Sequence, residues 1–344
     1  MYTERREHYL KLEDARESKV LVYITGDRPG LETQIHEEVY ELFVNHLDSI
    51  GVVERISLYL YTRGGATLAG WGLVNLVRQF CRQFEIIVPS KALSTGTLIC
   101  LGGDRIVMTK QATLGPIDPS VITALNPQIP GGSPEARCPV SVEAIQGFME
   151  ISENHLGRWN KGAIAQMMAK LADAIHPLVL GEAFRSRTQI QMLATKLMSG
   201  HVKRRHIRKI VKFLCSESGS HDYAIHRREA RDVLGLPIDK PDDELYVIIK
   251  RIYDDVADDL QLRIRYDPNS FLGDEPTRSY TFRRAIIESL NGGSDCLVSE
   301  GRLNKTQFSA PPGAPGLPGR LQQAITDARR FEGWRHENAA SRPS

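Results

Sequence analysis

Arg55-Ile56-Ser57-Leu58-Tyr59-Leu60-Tyr61-Thr62-Arg63-Gly64-Gly65-Ala66-Thr67-Leu68-Ala69-Gly70 is an apolar run that stops at two glycines and resumes with small and apolar residues. The run through Tyr61 reads as a buried strand, and Gly64-Gly65 breaks it. From Leu68 to Phe84 the apolar residues return at helical spacing. The same grammar recurs downstream. Glu85 to Pro89 (EIIVP) is a further strand, and Ala92-Leu93-Ser94-Thr95-Gly96-Thr97 sets a serine among small residues where a short helix, Leu93 to Leu101, begins.

Upstream, Lys19 to Thr25 (KVLVYIT) is a β-branched apolar run closed by Gly26-Asp27, and Ile35, Val39, Leu42, Phe43 and Leu47 mark one face of a helix over Thr33 to Leu47. Downstream, Arg105 to Met108 (RIVM) is another strand. Strands alternating with helices predict an α/β fold with parallel strands and right-handed crossovers. Strands this continuously apolar have both faces covered.

Pro127 to Pro139 reads as a loop, Val142 to Ala174 as a long helical region, and Pro177 to about Met198 as a further helix. His201 to Lys209 is strongly basic, and short helices follow, among them Arg227 to Val233 and Asp243 to Val256. After Tyr266 the periodicity weakens. Ala310 to Gly319 has a collagen-like Pro/Gly period far too short for a triple helix, so it reads as a linker, with a helix expected over Arg320 to Phe331. The resulting division is an N-terminal extension (1–18), a catalytic core (19–200), a small helical subdomain (201–266) and a weakly structured tail (267–344).

The two turns suggest chemistry when taken together. A Gly-Gly turn can equally be a plain strand end, and small residues around a serine can serve close helix packing. In conjunction, and with Ala112-Thr113-Leu114-Gly115-Pro116-Ile117-Asp118-Pro119 nearby, they suit acyl chemistry. Turn amides can face a reacting carbonyl oxygen while an adjacent serine attacks the carbonyl carbon.

At this point the chain resembles the Clp-fold serine peptidases, which include the Clp protease subunit and signal peptide peptidase A, within the wider crotonase-like fold. It is most similar to the serine dehydrogenase proteinase (SDH) family. The residues that carry the resemblance are TRGGATLAG, SKALSTGTLICLGGDRIVM, ATLGPIDP, HPLVLGEAFRS at His176 to Ser186, and SHDYAIHRREA at Ser220 to Ala230. The resemblance implies a ClpP/crotonase-like α/β fold of repeated β-β-α units with a C-terminal helical extension. It implies Ser94 as nucleophile and the backbone N–H groups of Gly65 and Thr95 as the oxyanion hole. It also implies assembly into a homo-oligomer and a protein or peptide substrate.

The residue that takes the serine proton stays open. The Clp protease subunit uses a histidine further along the chain, and the matching segment here, Gly115 to Pro119, offers only Asp118. Signal peptide peptidases use a lysine, and Gly131 to Gln146 contains none. Lys161 and Lys170 lie further on, Lys91 and Lys110 suit solvated strand or helix ends, and His155 suits a helix surface. His176, before a proline at a helix start, is the histidine candidate.

The composition, 41% hydrophobic and 25% charged with a formal net charge of +2, is that of a soluble protein and gives no lead to nucleic acid or membrane. The basic run at His201 to Lys209 is read as a solvated helix face, so nucleic acid is not expected as a partner. The five cysteines form no CxxC pair, and His221, Asp222 and His226 lack further ligands, so no metal is expected. No GxGxxG follows a strand, so no nicotinamide cofactor is expected. Met1 to Arg16 is polar and no segment reads as a membrane span, which predicts a cytoplasmic protein. The expected function is a serine endopeptidase working through an acyl-enzyme on Ser94. The rivals are an inactive scaffold that binds a peptide or partner subunit, and a crotonase-type enzyme acting on acyl-CoA.

Overall fold

In chain order the helices are α1 (Tyr2–Arg16), α2 (Tyr40–Ile50), α3 (Thr67–Val77), α4 (Thr95–Leu101), α5 (Val142–His155), α6 (Lys161–Ala174), α7 (Pro177–Met198), α8 (Arg204–Lys212), α9 (Asp243–Asp259) and α10 (Pro268–Leu272). The strands are β1 (Lys19–Thr25), β2 (Val53–Tyr61), β3 (Cys81–Val88), β4 (Lys91–Ala92), β5 (Arg105–Met108), β6 (Thr113–Leu114), β7 (Ser120–Val121), β8 (Val140–Ser141), β9 (Ile225–His226), β10 (Ile238–Asp239), β11 (Thr277–Ser289), β12 (Gly293–Ser309) and β13 (Leu321–Glu337). This computed structural model describes residues 2–117, 120–131, 133–155, 161–218, 220, 222–309 and 321–337.

The expected α/β class holds. The main sheet has eight strands in the order β10-β5-β3-β2-β1-β11-β12-β13. From β10 to β1 all neighbours are parallel, and from β1 to β13 all are antiparallel. Side chains alternate across the sheet at the two-residue period of a strand. Leu21, Tyr23, Leu58, Leu60, Ile86 and Val88 face a core shared with α2, α3, α4 and the C-terminal half of α7. Val20, Val22, Ile24, Tyr59, Tyr61 and Ile87 face a second core closed by α1 and α9 through Tyr9, Leu12, Ile249, Ile252 and Val256. With both faces covered, nearly every residue of β1 and of the C-terminal part of β2 is buried.

Several boundaries differ from the sequence expectation. The helix expected to run to Phe84 ends at Val77. Cys81 to Phe84 belong to β3, where Cys81 pairs with Val53 and Phe84 with Ile56. A helical apolar period and a buried strand look alike over so few residues. The long helical region is helical over α5 and α6, and residues 156–160 between them lie outside the described residues.

The N-terminal extension is a helix built into the second core. Arg5 is fully buried, with its guanidinium bidentate on Glu288 (2.6 and 3.0 Å) and bonded to Asp259 (2.9 Å). The supposed helical subdomain is likewise part of the fold, since β10 pairs with β5 and α9 packs under the sheet.

The tail expected to be weakly structured is the largest correction. It supplies three long strands, and β11 pairs antiparallel with β1. The stretch expected to be helical from Arg320 lies largely within β13, which pairs with β12 from Ser294–Glu337 to Ser309–Leu321. Charged residues interrupt the apolar alternation of these strands, and their partners are distant in sequence, so local periodicity does not register them. Ala310 to Gly319, read as a linker, lies outside the described residues.

Candidate active site

The diglycine turn is built by side chains beneath it. The Thr62 hydroxyl, fully buried, accepts the Gly64 N–H (2.9 Å) and a bond from the Thr25 hydroxyl (2.7 Å). Gly64 and Gly65 have φ of +110° and +147°. A Cβ on Gly64 would lie 2.8 Å from Ser94 Cβ and 2.9 Å from the Leu93 carbonyl oxygen. Only glycine allows that backbone to sit against the serine turn. The sequence reading that these two segments meet is therefore met by direct packing.

Gly65 is held on its other side by Ile35. The Ile35 N–H donates to the Gly64 carbonyl (2.8 Å) and the Ala66 N–H donates to the Ile35 carbonyl (2.8 Å). In such a parallel bridge the central residue turns its own N–H and C=O away from the partner. The Gly65 carbonyl accepts from Thr95 Oγ1 (2.6 Å), which places that face of Gly65 toward the serine turn. The Gly65 N–H has no acceptor among the described residues.

Ser94 caps the start of α4 with φ +51° and ψ −116°, a backbone that an L residue seldom adopts. Its side chain is half-buried and its Oγ makes no hydrogen bond to any described residue. A strained strand–turn–helix of this kind is how a fold presents a serine hydroxyl at the end of a sheet. Thr95 is the first helical residue, so its N–H has no intrahelical acceptor.

The small residues of the motif follow from packing. A Cβ on Gly70 would lie 2.4 Å from Thr95 Cγ2, and one on Gly96 would lie 2.4 Å from Thr62 Cγ2, so α3, α4 and the end of β2 touch through glycines. Thr97 Oγ1 donates to the Ala92 carbonyl (2.8 Å) and accepts the Gly115 N–H (3.0 Å). That bond brings the Thr113 to Ile117 segment against Leu93.

A charged group missed by the sequence reading stands at the same strand ends. Lys91 Nζ is 2.7 Å from Asp27 Oδ2, and the Tyr61 hydroxyl donates to Asp27 Oδ1 (2.6 Å). Lys91 also lies 5.5 Å above the Tyr61 ring. Burial, and then the Asp27 carboxylate, push the Tyr61 hydroxyl well above its ordinary pKa. The signal was Gly26-Asp27 closing an apolar strand. Asp27, Thr62 and Gly64 lie just beyond the carboxyl ends of β1 and β2, where ligand sites of parallel sheets are found.

None of the base candidates among the described residues hydrogen-bonds Ser94. Asp118 lies outside the described residues, as does His221, and the side chains of His155 and Lys161 lie outside them too. His176 is exposed and caps α7, its Nδ1 accepting the Leu178 N–H (3.2 Å). Lys91 is engaged by Asp27, Lys110 sits 4.6 Å over the Tyr246 ring, and Lys170 is 3.9 Å from Asp173.

A Ser–His–Asp grouping is present away from Ser94, but it is sealed. His46 Nδ1 bonds Ser289 Oγ (2.7 Å) and its Nε2 bonds Asp295 Oδ2 (3.0 Å). None of the three is more than 5% exposed, and Ser289 Oγ also accepts the Gly292 N–H (2.9 Å). The grouping ties α2 to the β11–β12 hairpin. Among the described residues no three His, Cys, Asp or Glu side chains are grouped to hold a metal ion. No single described helix is long and apolar enough to cross a membrane, although Gly162–Ala174 and Pro177–Met198, bent by 102°, pass by length and composition when joined.

Residues 52–131 match the family model of the ClpP-like SDH-type serine proteinases. The match spans the diglycine turn, Ser94 and the strand that follows, so the resemblance and the ClpP-like fold read from the motifs are borne out there. An uncharacterized protein of Methanocaldococcus jannaschii is 27% identical over 196 residues, 57% of each chain. The chain thus spans little more than half the length of that relative. A second uncharacterized protein of the same organism is 36% identical over 66 residues, 19% of this chain and 23% of that one. Among solved structures, the 1510-N membrane-bound stomatin-specific protease aligns with 66% of this chain and 83% of its own at 16% identity and a TM-score of 0.39. ClpP1 from Listeria monocytogenes aligns with 69% and 98% at 16% identity and a TM-score of 0.36.

Proposed function

We propose that the chain is a serine endopeptidase in which Ser94 forms an acyl-enzyme. The observation that carries this reading is the contact between Gly64 and the Ser94 turn, with the Gly65 and Thr95 N–H groups free of acceptors among the described residues beside a strained, half-buried serine. Ser94 Oγ attacks the scissile carbonyl carbon and the peptide C–N bond breaks as the amine leaves with a proton. The Gly65 and Thr95 amides hold the oxygen as it gains charge. Water then releases the acyl group. No described side chain hydrogen-bonds Ser94 Oγ, and the base is left unassigned among Asp118, a lysine and a histidine such as His176. The family match over 52–131 supports a hydrolase of this class.

The protein is expected to act on polypeptides as an assembly of identical copies. Leu178 and Phe184 on α7 and Ile151 on α5, each more than half exposed, support that reading. A fluorophosphonate probe labels the wild-type serine, and Ser94→Ala abolishes the labelling. Equal labelling of the variant rejects the nucleophile.

A second reading rests on one observation: no described side chain hydrogen-bonds Ser94 Oγ. A scaffold that keeps the fold and binds peptides without cutting them fits that fact. Such a protein binds an unfolded polypeptide, leaves it intact, and is not labelled.

A further inference from the structure

The basic run of the sequence, His201 to Lys209, leads into α8, and α8 borders a crevice that the serine site does not use. The crevice lies between α5, α7 and α8 and measures about 820 Å³. Its cations are Arg187, Lys196, Arg208 and Lys212, and its acids are Glu150 and Glu217. Glu217 is paired with Lys212, and Glu150 accepts from the Gln146 amide. Lys196 and Arg208 are exposed and have no acidic partner among the described residues.

Arg187 is an independent pointer. It is partly buried, and one of its terminal nitrogens donates to Ser216 Oγ (2.6 Å). Its Nε is buried, makes no hydrogen bond among the described residues, and stands 4.0 Å from Glu143 Oε1. A buried donor left without an acceptor is uncommon, and the guanidinium keeps capacity for an acceptor-rich ligand.

The cations are spread along the crevice. Arg187 and Lys196 are separated by about 13 Å along the axis of α7 at the helical rise. Arg208 and Lys212 stand about one turn apart on α8. Like charges gathered in a concavity focus their field on whatever enters it. A chain of linked phosphates meets these cations in turn, whereas a single phosphate meets one end. Guanidinium forks and lysine ammonium groups both serve phosphate oxygens.

The crevice is also joined to the serine turn. Lys212 and Ser216 flank Leu214, whose carbonyl accepts the Ile117 N–H (2.9 Å). Nearby, the Gly115 N–H is held by Thr97 Oγ1, on the helix that Ser94 begins.

We propose that this crevice binds a condensed phosphate, a chain of phosphates joined by anhydride bonds, either free or as the tail of a nucleoside triphosphate, and that its occupancy steadies the Gly115 to Ile117 segment. The binding does not depend on the hydrolase reading. A nucleic acid would instead meet the exposed Arg204 and Arg205 of α8, which take no part in the crevice.

The test is calorimetry on the full chain with inorganic tripolyphosphate at about 0.15 M salt, where distant surface charges are screened. Tripolyphosphate is expected to bind at least tenfold tighter than orthophosphate or citrate. Lys196→Gln with Arg208→Gln weakens it at least tenfold, while Arg204→Gln with Arg205→Gln, which removes the same charge outside the crevice, weakens it no more than twofold. Thr188→Trp, which fills the crevice at unchanged charge, weakens it at least tenfold. All five positions are exposed, so the fold is kept. Ligand slows amide hydrogen exchange over Gly115 to Ile117 at least threefold in wild type and leaves it unchanged in Thr188→Trp. Guanosine triphosphate binding more tightly than tripolyphosphate supports the site with a nucleotide as its source, and equal or weaker binding supports it with the free chain. Absence of binding, equally tight citrate, or equal losses in the two double variants overturns the site. A duplex oligonucleotide bound more tightly than tripolyphosphate, and lost in Arg204→Gln with Arg205→Gln, overturns it in favour of a nucleic-acid face. Binding with unchanged exchange overturns the link to the serine turn.

Discussion

Thr95 Oγ1 donates to the Gly65 carbonyl oxygen at 2.6 Å, so the residue that follows the serine also anchors the glycine whose N–H would hold the oxyanion. The two residues that carry the proposed donors are thereby tied together, and the hydroxyl has no other hydrogen-bond partner among the described residues.

Thr95→Val keeps the shape and removes that bond. Losing one oxyanion donor outright costs about 10²–10³ in turnover. Loosening it through its neighbour is expected to lower kcat by about tenfold or more with little change in KM. Steady-state peptide hydrolysis measures this, and Thr95→Ser restores the rate. An unchanged kcat in Thr95→Val removes the positioning role.

Gly65→Ala tests the turn itself. The new Cβ meets the Ile35 carbonyl oxygen at 2.3 Å and the backbone at φ +147° is strained for alanine. Destabilisation of about 2 kcal/mol or more is expected. Labelling of Ser94 is expected to fall as well. Urea denaturation gives the first and the fluorophosphonate probe the second.

Arg5→Met tests the buried charge under the sheet. Arg5 and Glu288 are both 0% exposed and 2.6 Å apart, and Tyr9 also donates to Glu288. Removing one partner leaves the other buried and uncompensated, which costs about 3–5 kcal/mol. Because the pair joins α1 to β11, unfolding in urea is expected to stay a single transition at a lower midpoint. If α1 melts separately while the rest keeps its midpoint, the helix is an appendage after all.

These elements were unequally legible in the sequence. The parallel half of the fold was readable because each strand is a short apolar run ended by glycine or a turn, and each helix carries its own apolar face. The meeting of Gly64 with Ser94 was readable from the conjunction of the two small-residue turns and from the family resemblance they carry. The antiparallel half was not. In TRSYTFRRAIIES the buried side chains are interleaved with arginines, and what makes it a strand is β1, far away in sequence. Arg5 stood in a stretch read only as polar, because its partner lies 283 positions on. The Asp27–Lys91–Tyr61 group was hidden for the same reason, as only the sheet aligns the three strand ends.

His201 sets a pH dependence. Burial, then Arg78, hold its imidazole below the ordinary value, against smaller upward pulls from Asp104 and the Leu101 backbone. The unfolded chain therefore takes up its proton at a higher pH than the folded one. The resulting stability is present above the unfolded pKa, near 6.5. It is lost as pH falls through the lower folded pKa. Thermal unfolding from pH 7.5 down to 5 is expected to show a falling Tm in wild type and a shallower fall in His201→Gln. Parallel slopes rule the residue out.

Ser94→Gly separates the two consequences of the strained serine. At φ +51° and ψ −116° a serine costs of order 1–3 kcal/mol, which glycine does not incur. Glycine also loses more entropy on folding, by roughly 0.5–1 kcal/mol. The strain relief is the larger effect, so Ser94→Gly is expected to be more stable than Ser94→Ala, which keeps the Cβ and the strain. Both variants lose labelling. A chain that holds a residue in an unfavourable backbone when a more stable one is a single substitution away keeps it for the hydroxyl. If Ser94→Gly is no more stable than Ser94→Ala in urea, the turn is relaxed and its backbone gives no reason to see Ser94 as a presented nucleophile.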